Sequence, residues 1–250
     1  MILIACIEFC VISSIGSYAQ KGQWRGPDRS GIFPESGLLS EWPTGGPEMI
    51  LKVDSLGSGL ASPVLNDGMI YITGKEQEDD YLYAIDLEGT RKYKVKYGRA
   101  WEKSYPDSRS TPTIEDDRIY LISGMGEVVC INKNDGKIIW KVNAHEKYHG
   151  EFHSWGVAES PLVIDDKVLY TAGGAETSVV ALNKLTGAEV WKTKSVGGSR
   201  TYVSPIEYEH ANIRHIIACT SHFVFAIDPE TGEVAWEYKF VGDGEEFNSC

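Results

Sequence analysis

The side chains best able to do chemistry gather just ahead of Ser/Thr-Pro pairs. Arg109 stands in DSRSTP, His153, Trp155 and Glu159 in HSWGVAESP, Arg200 and Tyr202 in SRTYVSP, and Asn248 in EEFNSC, where another such pair is due. Brought together in a polar channel, these groups would hold an anionic ligand, a sugar or a peptide, with guanidinium forks for its acceptors and Trp155 as a stacking surface. The plainer reading is that each packs or pairs around the channel wall. His149, Glu151 and His153 alternate in HGEFH. In an extended segment alternate side chains share one side, an arrangement a Zn2+ ion could use. Without a defined geometry this set meets few requirements of a metal site, and no metal is expected. GMGEVV, Gly124 to Val129, has glycines like those of a phosphate loop, but it joins two strand-like runs and opens no helix, so it reads as a hairpin turn. No GxSxG, P-loop, CxxC or kinase motif names a nucleophile or a phosphate cradle, and the catalytic residues, if there are any, stay unknown.

The elements that would position these residues repeat. Ser62-Pro63, Thr111-Pro112, Ser160-Pro161 and Ser204-Pro205 open four similar stretches. Four residues after each proline stands an acid, Asp67, Asp116, Asp165 or Glu209, read as part of a turn. Apolar β-rich runs follow (MIYITG, RIYLISG, KVLYTAGG, RHIIACT), then a second apolar run, then Gly89, Gly136, Gly187 or Gly232, and four residues later Tyr93, Trp140, Trp191 or Trp236. Each unit, at about 62–98, 110–144, 160–195 and 204–240, reads as a four-stranded antiparallel meander that must stack on its neighbours, which is a propeller blade. The four aromatics are structural: each ring is expected against a small Ala84, Cys130, Ala181 or Ala226 slot of the next sheet. GPEMILKV, Gly46 to Val53, resembles DGKIIWKV, Asp135 to Val142, as a closing strand without the three before it. The expectation is an all-β protein, four blades plus an N-terminal closing strand, as a fragment truncated from a larger ring.

Composition excludes several classes. A formal charge of -12 argues against nucleic acid, whose binding rests on clustered Lys and Arg. Residues 1–19 form an apolar run ending in Ser17-Tyr18-Ala19, the pattern before a signal-peptide cleavage site. Interrupted by Glu8, the run is too short for a transmembrane span of about 20 residues. Export to the periplasm or cell exterior is expected, at most at the membrane periphery, with residues 20–250 as the propeller. The five cysteines show no metal or disulfide spacing.

AIDPETGEVAW, Ala226 to Trp236, and ALNKLTGAEVW, Ala181 to Trp191, resemble the Ala-x-Asp-x-x-Thr-Gly-x-x-x-Trp signature of pyrroloquinoline-quinone (PQQ) repeat propellers. QWRGPDRSG, Gln23 to Gly31, resembles their entry segment, so the resemblance covers about residues 22–250. It implies a bacterial, exported, eight-bladed propeller similar to the outer-membrane assembly lipoproteins, with a protein partner or a glycan at the cell envelope and no cofactor. The signature also occurs in quinoprotein alcohol and glucose dehydrogenases, where the resemblance implies PQQ and Ca2+ in the channel with Arg109 and Glu159 as contacts. Those enzymes cover the quinone with a disulfide between adjacent cysteines, and this chain has no adjacent pair. The metal is expected to take Glu, Asn and Asp ligands, part of which would fall beyond Cys250. A non-catalytic binding or assembly scaffold is therefore the expected function, with a PQQ-dependent alcohol or sugar dehydrogenase and a carbohydrate-binding propeller as alternatives.

Overall fold

The computed structural model describes residues 22–152 and 154–241. The leader, His153 and Asn248 lie outside the described residues. Four sheets of four antiparallel strands follow one another along the chain, each with its strands side by side in chain order. The first holds β1 (Val64–Asn66), β2 (Met69–Glu76), β3 (Asp79–Asp86) and β4 (Arg91–Arg99); the second β5 (Thr113–Glu115), β6 (Arg118–Ile122), β7 (Glu127–Asn132) and β8 (Ile138–Asn143). The third holds β9 (Val163–Ile164), β10 (Lys167–Thr171), β11 (Thr177–Asn183) and β12 (Glu189–Lys194); the fourth β13 (Ile206–His210), β14 (Ile213–Cys219), β15 (Phe223–Ile227) and β16 (Val234–Lys239).

The middle strands are buried on both faces, and this is what stacks the sheets. In β7, Val129 and Ile131 join a core with Leu82, Ala84 and Ile119, whereas Val128 and Cys130 join another with Val168, Val180 and Leu182. A third core, with Leu169, Ala181, Ile216 and Phe225, lies between the last two sheets. Short turns carry the reversals. Asp67, Asp116 and Asp165 take φ of 48°, 53° and 51°, a left-handed conformation that aspartate tolerates. Glu209 does not follow them: it lies within β13, and Ala211 and Asn212 (φ 51° and 63°) make that turn. β13 runs two residues longer, so the reversal moves to His-Ala-Asn.

The repeated aromatic is the inter-sheet joint, by a contact other than the one expected from sequence. Ala84, Cys130, Ala181 and Ala226 are the cross-strand partners of Tyr93, Trp140, Trp191 and Trp236 within the same sheet, each followed by a register shift. Directly opposed residues share a face, so the small residue sits beside its own sheet's ring. The slot in the following sheet is the signature glycine. A Cβ on Gly136 would fall 2.7 Å from Tyr93 Cδ2, one on Gly187 2.7 Å from Trp140 Cε3, and one on Gly232 2.6 Å from Trp191 Cδ2. The same glycines have φ of 72°, 73° and 76°, so both the space and the backbone require glycine. Tyr93 Oη, Trp140 Nε1 and Trp191 Nε1 then donate to the carbonyls of Lys133, Lys184 and Pro229 in the glycine-bearing turns, at 2.8, 3.0 and 3.0 Å.

The expected closing strand takes the matching place without a ladder. Residues 46–53 have no strand partner among the described residues, and strand structure needs one. Yet Leu51, which aligns with Trp140, lies 3.0 Å from where a Cβ on Gly89 would be. On the last sheet, Trp236 is 45% exposed and Tyr238 64%, whereas Trp191 and Thr193 at the corresponding positions are 7% and 1% exposed.

This joint makes a stability prediction. Trp191→Ala, which empties a covered site, should cost about 3–5 kcal/mol, and Trp236→Ala about 1 kcal/mol or less. Gly187→Ala should cost about 1–3 kcal/mol through a positive φ and the collision with Trp140. Urea unfolding of each variant checks this, and equal costs for the two tryptophans would refute the joint.

Candidate functional site

Because strands alternate in direction, the signature turns all fall at one end of the sheets, and the connections between sheets fall at the other. Residues 100–112, 144–162 and 195–205 form that second end. There the innermost strands are linked: Ser62 N donates to Thr111 Oγ1 (3.1 Å), Thr111 N to Ser160 Oγ (3.0 Å), and Ser160 N to Ser204 Oγ (2.9 Å). The Ser/Thr-Pro pairs thus bond each blade to the next. Their prolines donate no backbone N–H, and the hydroxyl before each proline does the linking.

Above this line opens a cavity of about 530 Å³, lined by Trp24, Leu60, Tyr105, Arg109, Trp155 and Tyr202, with Ser62, Thr111 and Ser160 as hydroxyl groups. Three of the expected channel residues, Arg109, Trp155 and Tyr202, meet here. The Trp155 and Tyr202 rings lie 5.5 Å apart at 31°, and Tyr105 meets Trp155 edge-on at 6.5 Å. Arg109 donates to the carbonyls of Trp155, Tyr105 and, at 3.0 Å, Ser104, so it fixes two aromatic loops. Burial lowers its pKa, with Tyr202 and Asp107 opposing.

Glu159 and Arg200 are elsewhere. Both side chains are fully buried and paired at 3.0 Å. Arg200 also donates to Tyr170 Oη (3.0 Å), and Thr171 N donates to both Glu159 oxygens (3.2 and 3.1 Å). Burial raises the Glu159 carboxyl and Arg200 opposes it. The pair is a sealed link between the third and fourth sheets, with no face toward the cavity. Adjacency to a Ser/Thr-Pro pair shows where a strand starts and leaves open which side of it a residue takes.

The alternating residues of HGEFH, from which no metal site was expected, meet different geometry. The one helix among the described residues, α1 (Ala144–Lys147), is capped by Asn143, whose side chain accepts from Glu146 N. His149 follows with φ 49°, so the segment is not extended there, and alternation no longer puts His149 and Glu151 on one side. Among the described residues no group of three His, Cys, Asp or Glu side chains could hold a metal ion.

Arg29 is the residue that sequence reading missed. It is 3% exposed and inserts from the N-terminal segment, donating to the carbonyls of Pro205 (2.7 Å), Ser160 (3.2 Å) and Pro161, and to Gln23 Oε1 (2.9 Å). Burial lowers its pKa to about 10 although Glu159 opposes this. The entry motif QWRGPDRSG was the signal available; it places Trp24 on the cavity and Arg29 beneath it.

Close to Arg109, Asp80 is buried, and Gly124 N donates to its Oδ2 at 2.8 Å. Burial raises its pKa to about 6, partly offset by Gly124 and Ser108. A carboxyl whose folded pKa exceeds its unfolded value supports folding below the unfolded pKa, and that support is lost as pH rises through the folded one. Asp80→Asn should therefore match the parent near pH ~4 and exceed it by on the order of 1–2 kcal/mol above pH ~7. His145 acts oppositely: burial, helped by the Arg200 charge, lowers it to about 4, so its support is lost as pH falls through that window. The difference between variant and parent, measured by thermal unfolding across pH, isolates Asp80; a constant difference would remove the buried charge as its cause.

With this geometry in hand, the chain is similar to proteins of two kinds. It is 28% identical to a quinoprotein ethanol dehydrogenase of Pseudomonas aeruginosa over 57% of this chain and 25% of that one. It is 31% identical to the outer membrane protein assembly factor BamB of Salmonella typhimurium over 56% of this chain and 36% of that one. The chain thus spans about a quarter to a third of these relatives. A quinohemoprotein alcohol dehydrogenase of Comamonas testosteroni superimposes with a TM-score of 0.59 at 17% identity, covering 78% of this chain and 37% of that one, which shows the β-propeller fold. Residues 97–248, more than half of the chain, match the family described as outer membrane protein assembly factor BamB, and the chain belongs to that PQQ-like repeat family.

Proposed function

We propose that this protein is an exported, non-catalytic binding propeller of the cell envelope, which takes a protein or glycan partner on the end that carries the inter-blade connections. The observation that carries this reading is the composition of the 530 Å³ cavity: four aromatic side chains, one guanidinium and hydroxyl groups. Rings supply contact area and the guanidinium supplies orientation, which is what a binding site needs. A general acid–base pair needs titratable groups of matched pKa at the reacting centre. Among the described lining residues there is no His, Cys, Asp, Glu or Lys, and the titratable side chains beside Arg109 are the phenols of Tyr105 and Tyr202. Residues 1–19 are proposed as the export signal. No helix among the described residues is long and apolar enough to cross a membrane.

The similarity to a quinoprotein ethanol dehydrogenase favours a second reading, oxidation of an alcohol or sugar with PQQ and Ca2+ at this cavity. Arg109 suits a carboxylate of such a cofactor. Glu159 does not suit Ca2+, because its oxygens accept from Arg200 and Thr171 inside a sealed pair. The metal half of that site does not fit the residues described, and no reaction step is assigned through it.

The discriminating experiment is a titration of the folded chain with PQQ and Ca2+, following quinone absorbance and dye-linked alcohol or sugar oxidation. The binding reading expects no turnover, and Trp155→Ala should leave that null result unchanged. Saturable quinone binding with turnover would replace it with the dehydrogenase.

A further inference from the structure

Two walls of the axial cavity converge on one buried side chain, that of Asp80 at the start of β3. The first wall is the stretch 154–158, which carries Trp155. Asp80 Oδ2 accepts from Gly124 N at 2.8 Å, and the Gly124 carbonyl accepts from Val157 N at 3.2 Å. The second wall is the stretch 104–111, which carries Arg109. Ser108 turns its hydroxyl to the same carboxyl, and the Ser108 carbonyl accepts from Leu60 N at 2.8 Å. Arg109 ties the two stretches together by donating to the carbonyls of Trp155 and Ser104. The packing leaves no slack: a Cβ on Gly124 would collide with Trp101 N, and one on Gly156 would fall 2.5 Å from the Trp101 ring. A shift of Gly124 is therefore passed to the stretch that holds Trp155.

We propose that Asp80 is a proton-responsive latch for this cavity: the two walls close over the carboxyl when it is neutral and part to admit water when it is charged. The proposal rests on the binding reading above and concerns the regulation of that site. Asp80 is 1% exposed, and its Oδ1 has no hydrogen-bond partner among the described residues. A neutral carboxyl can stay there, whereas a charged one with an unpaired oxygen gains by being hydrated. The cations that face it do not pair with it among the described residues. Lys75 lies directly across the sheet, and Arg109 is engaged with carbonyls.

The other titratable groups around Asp80 are already satisfied or titrate elsewhere. Tyr97 is fully buried with its Oη 3.0 Å from Ser108 Oγ, and burial holds the phenol well above its ordinary value. Gly98 lies across the sheet from Asp80, and Glu127 reaches it from β7. Glu127 is paired with Lys141 and accepts from Arg99 N at 2.6 Å, while the neighbouring Asp79 pairs with Lys96 at 2.7 Å. His145 N donates to the Gly126 carbonyl of the same hairpin, but its ring titrates at about 4 and with the opposite sign. An open wall returns Asp80 to the ordinary carboxylate range, and the closed wall raises it to about 6. The closed form thus holds the proton more tightly, so closure is favoured at low pH and is lost as pH rises through about 6.

The test is native-state amide hydrogen exchange of the full chain without ligand, corrected for the intrinsic pH dependence of exchange. The amides of Gly124, Val157 and Leu60 report the two walls, and Leu169, whose N–H bonds the Leu162 carbonyl beside the third core, reports the rest of the fold. Between pH ~5 and pH ~7.5 the three wall amides should lose about tenfold in protection, and Leu169 should keep its own. Asp80→Asn, which cannot ionise, should give the wall amides the same protection at both pH values. Ser108→Ala removes a hydroxyl that favours the charged form, so it should move the transition to higher pH, and it carries the test if the asparagine variant does not fold. Equal protection of the wall amides at the two pH values in the parent overturns the proposal. So does an equal loss at Leu169, which would mark global unfolding, or a loss that persists in Asp80→Asn. A transition that stays in place in Ser108→Ala also overturns it. None of these outcomes touches the binding reading, because no ligand is present. Dye-linked turnover with PQQ is the separate result that removes that reading and leaves the latch standing.

Discussion

A tryptophan ring can lie flat on a neighbouring sheet only where that sheet has no Cβ in the way, and this steric fact organises the molecule. The glycine that follows each Asx turn removes the obstacle. The turn's carbonyl, a few residues earlier, then receives the indole N–H. Ring, glycine and carbonyl together fix both the distance and the rotation between successive sheets. The register shift after Ala84, Cys130, Ala181 and Ala226 occurs at the same place in all four sheets. A bulge re-aims the strand that follows it, which lets the small residue stay beside its own ring while the next residue turns toward the core.

Fixing the pitch at one end has a consequence at the other. The Ser/Thr hydroxyls reach the neighbouring amides at nearly constant distances of 3.1, 3.0 and 2.9 Å because the sheets that carry them are already held in register. The repeated turns and the inter-blade connections occupy opposite ends of the strands. Structure is thus confined to one end, and the connections are free to differ in length and composition at the other. The cavity-bearing end is built from those unequal parts: the 144–162 connection contains a helix and the aromatic residues Tyr148, Phe152 and Trp155, whereas the 195–205 connection is shorter and contributes Tyr202.

This division explains which features were legible in the sequence. The blade repeat shows because every copy solves one packing problem with the same residue types at the same spacing. Its glycine and aromatic could be found by period, although their partnership runs between sheets, and period alone does not tell a same-sheet neighbour from a next-sheet one. Arg109, Trp155 and Tyr202 could be placed together because each sits just before an innermost strand. Glu159 and Arg200 satisfy the same rule and yet turn into the protein, where the carboxylate and guanidinium pair with each other out of reach of the cavity. Arg29 lies 131, 132 and 176 residues from the carbonyls it binds, a separation at which local pattern carries no information. His149, a weak metal candidate on the assumption of an extended segment, takes a left-handed φ that interrupts the extension alternation assumes.

The charge pattern ties the site to the fold. The chain carries a formal charge of -12, yet it places Arg29, Arg109 and Arg200 at the end that carries the connections, with Glu159 paired to Arg200 and the buried Asp80 close to Arg109. Arg29 and Arg109 are held mainly by backbone carbonyls, which satisfy hydrogen bonds without cancelling the positive charge. A guanidinium suits this arrangement because it stays charged at neutral pH even when burial lowers its pKa to about 10. The innermost strands end in carbonyls that need donors, and arginine meets that need while leaving a local positive field. The guanidiniums that tie the connections to the innermost strands therefore leave positive charge at this end of a chain that is acidic as a whole.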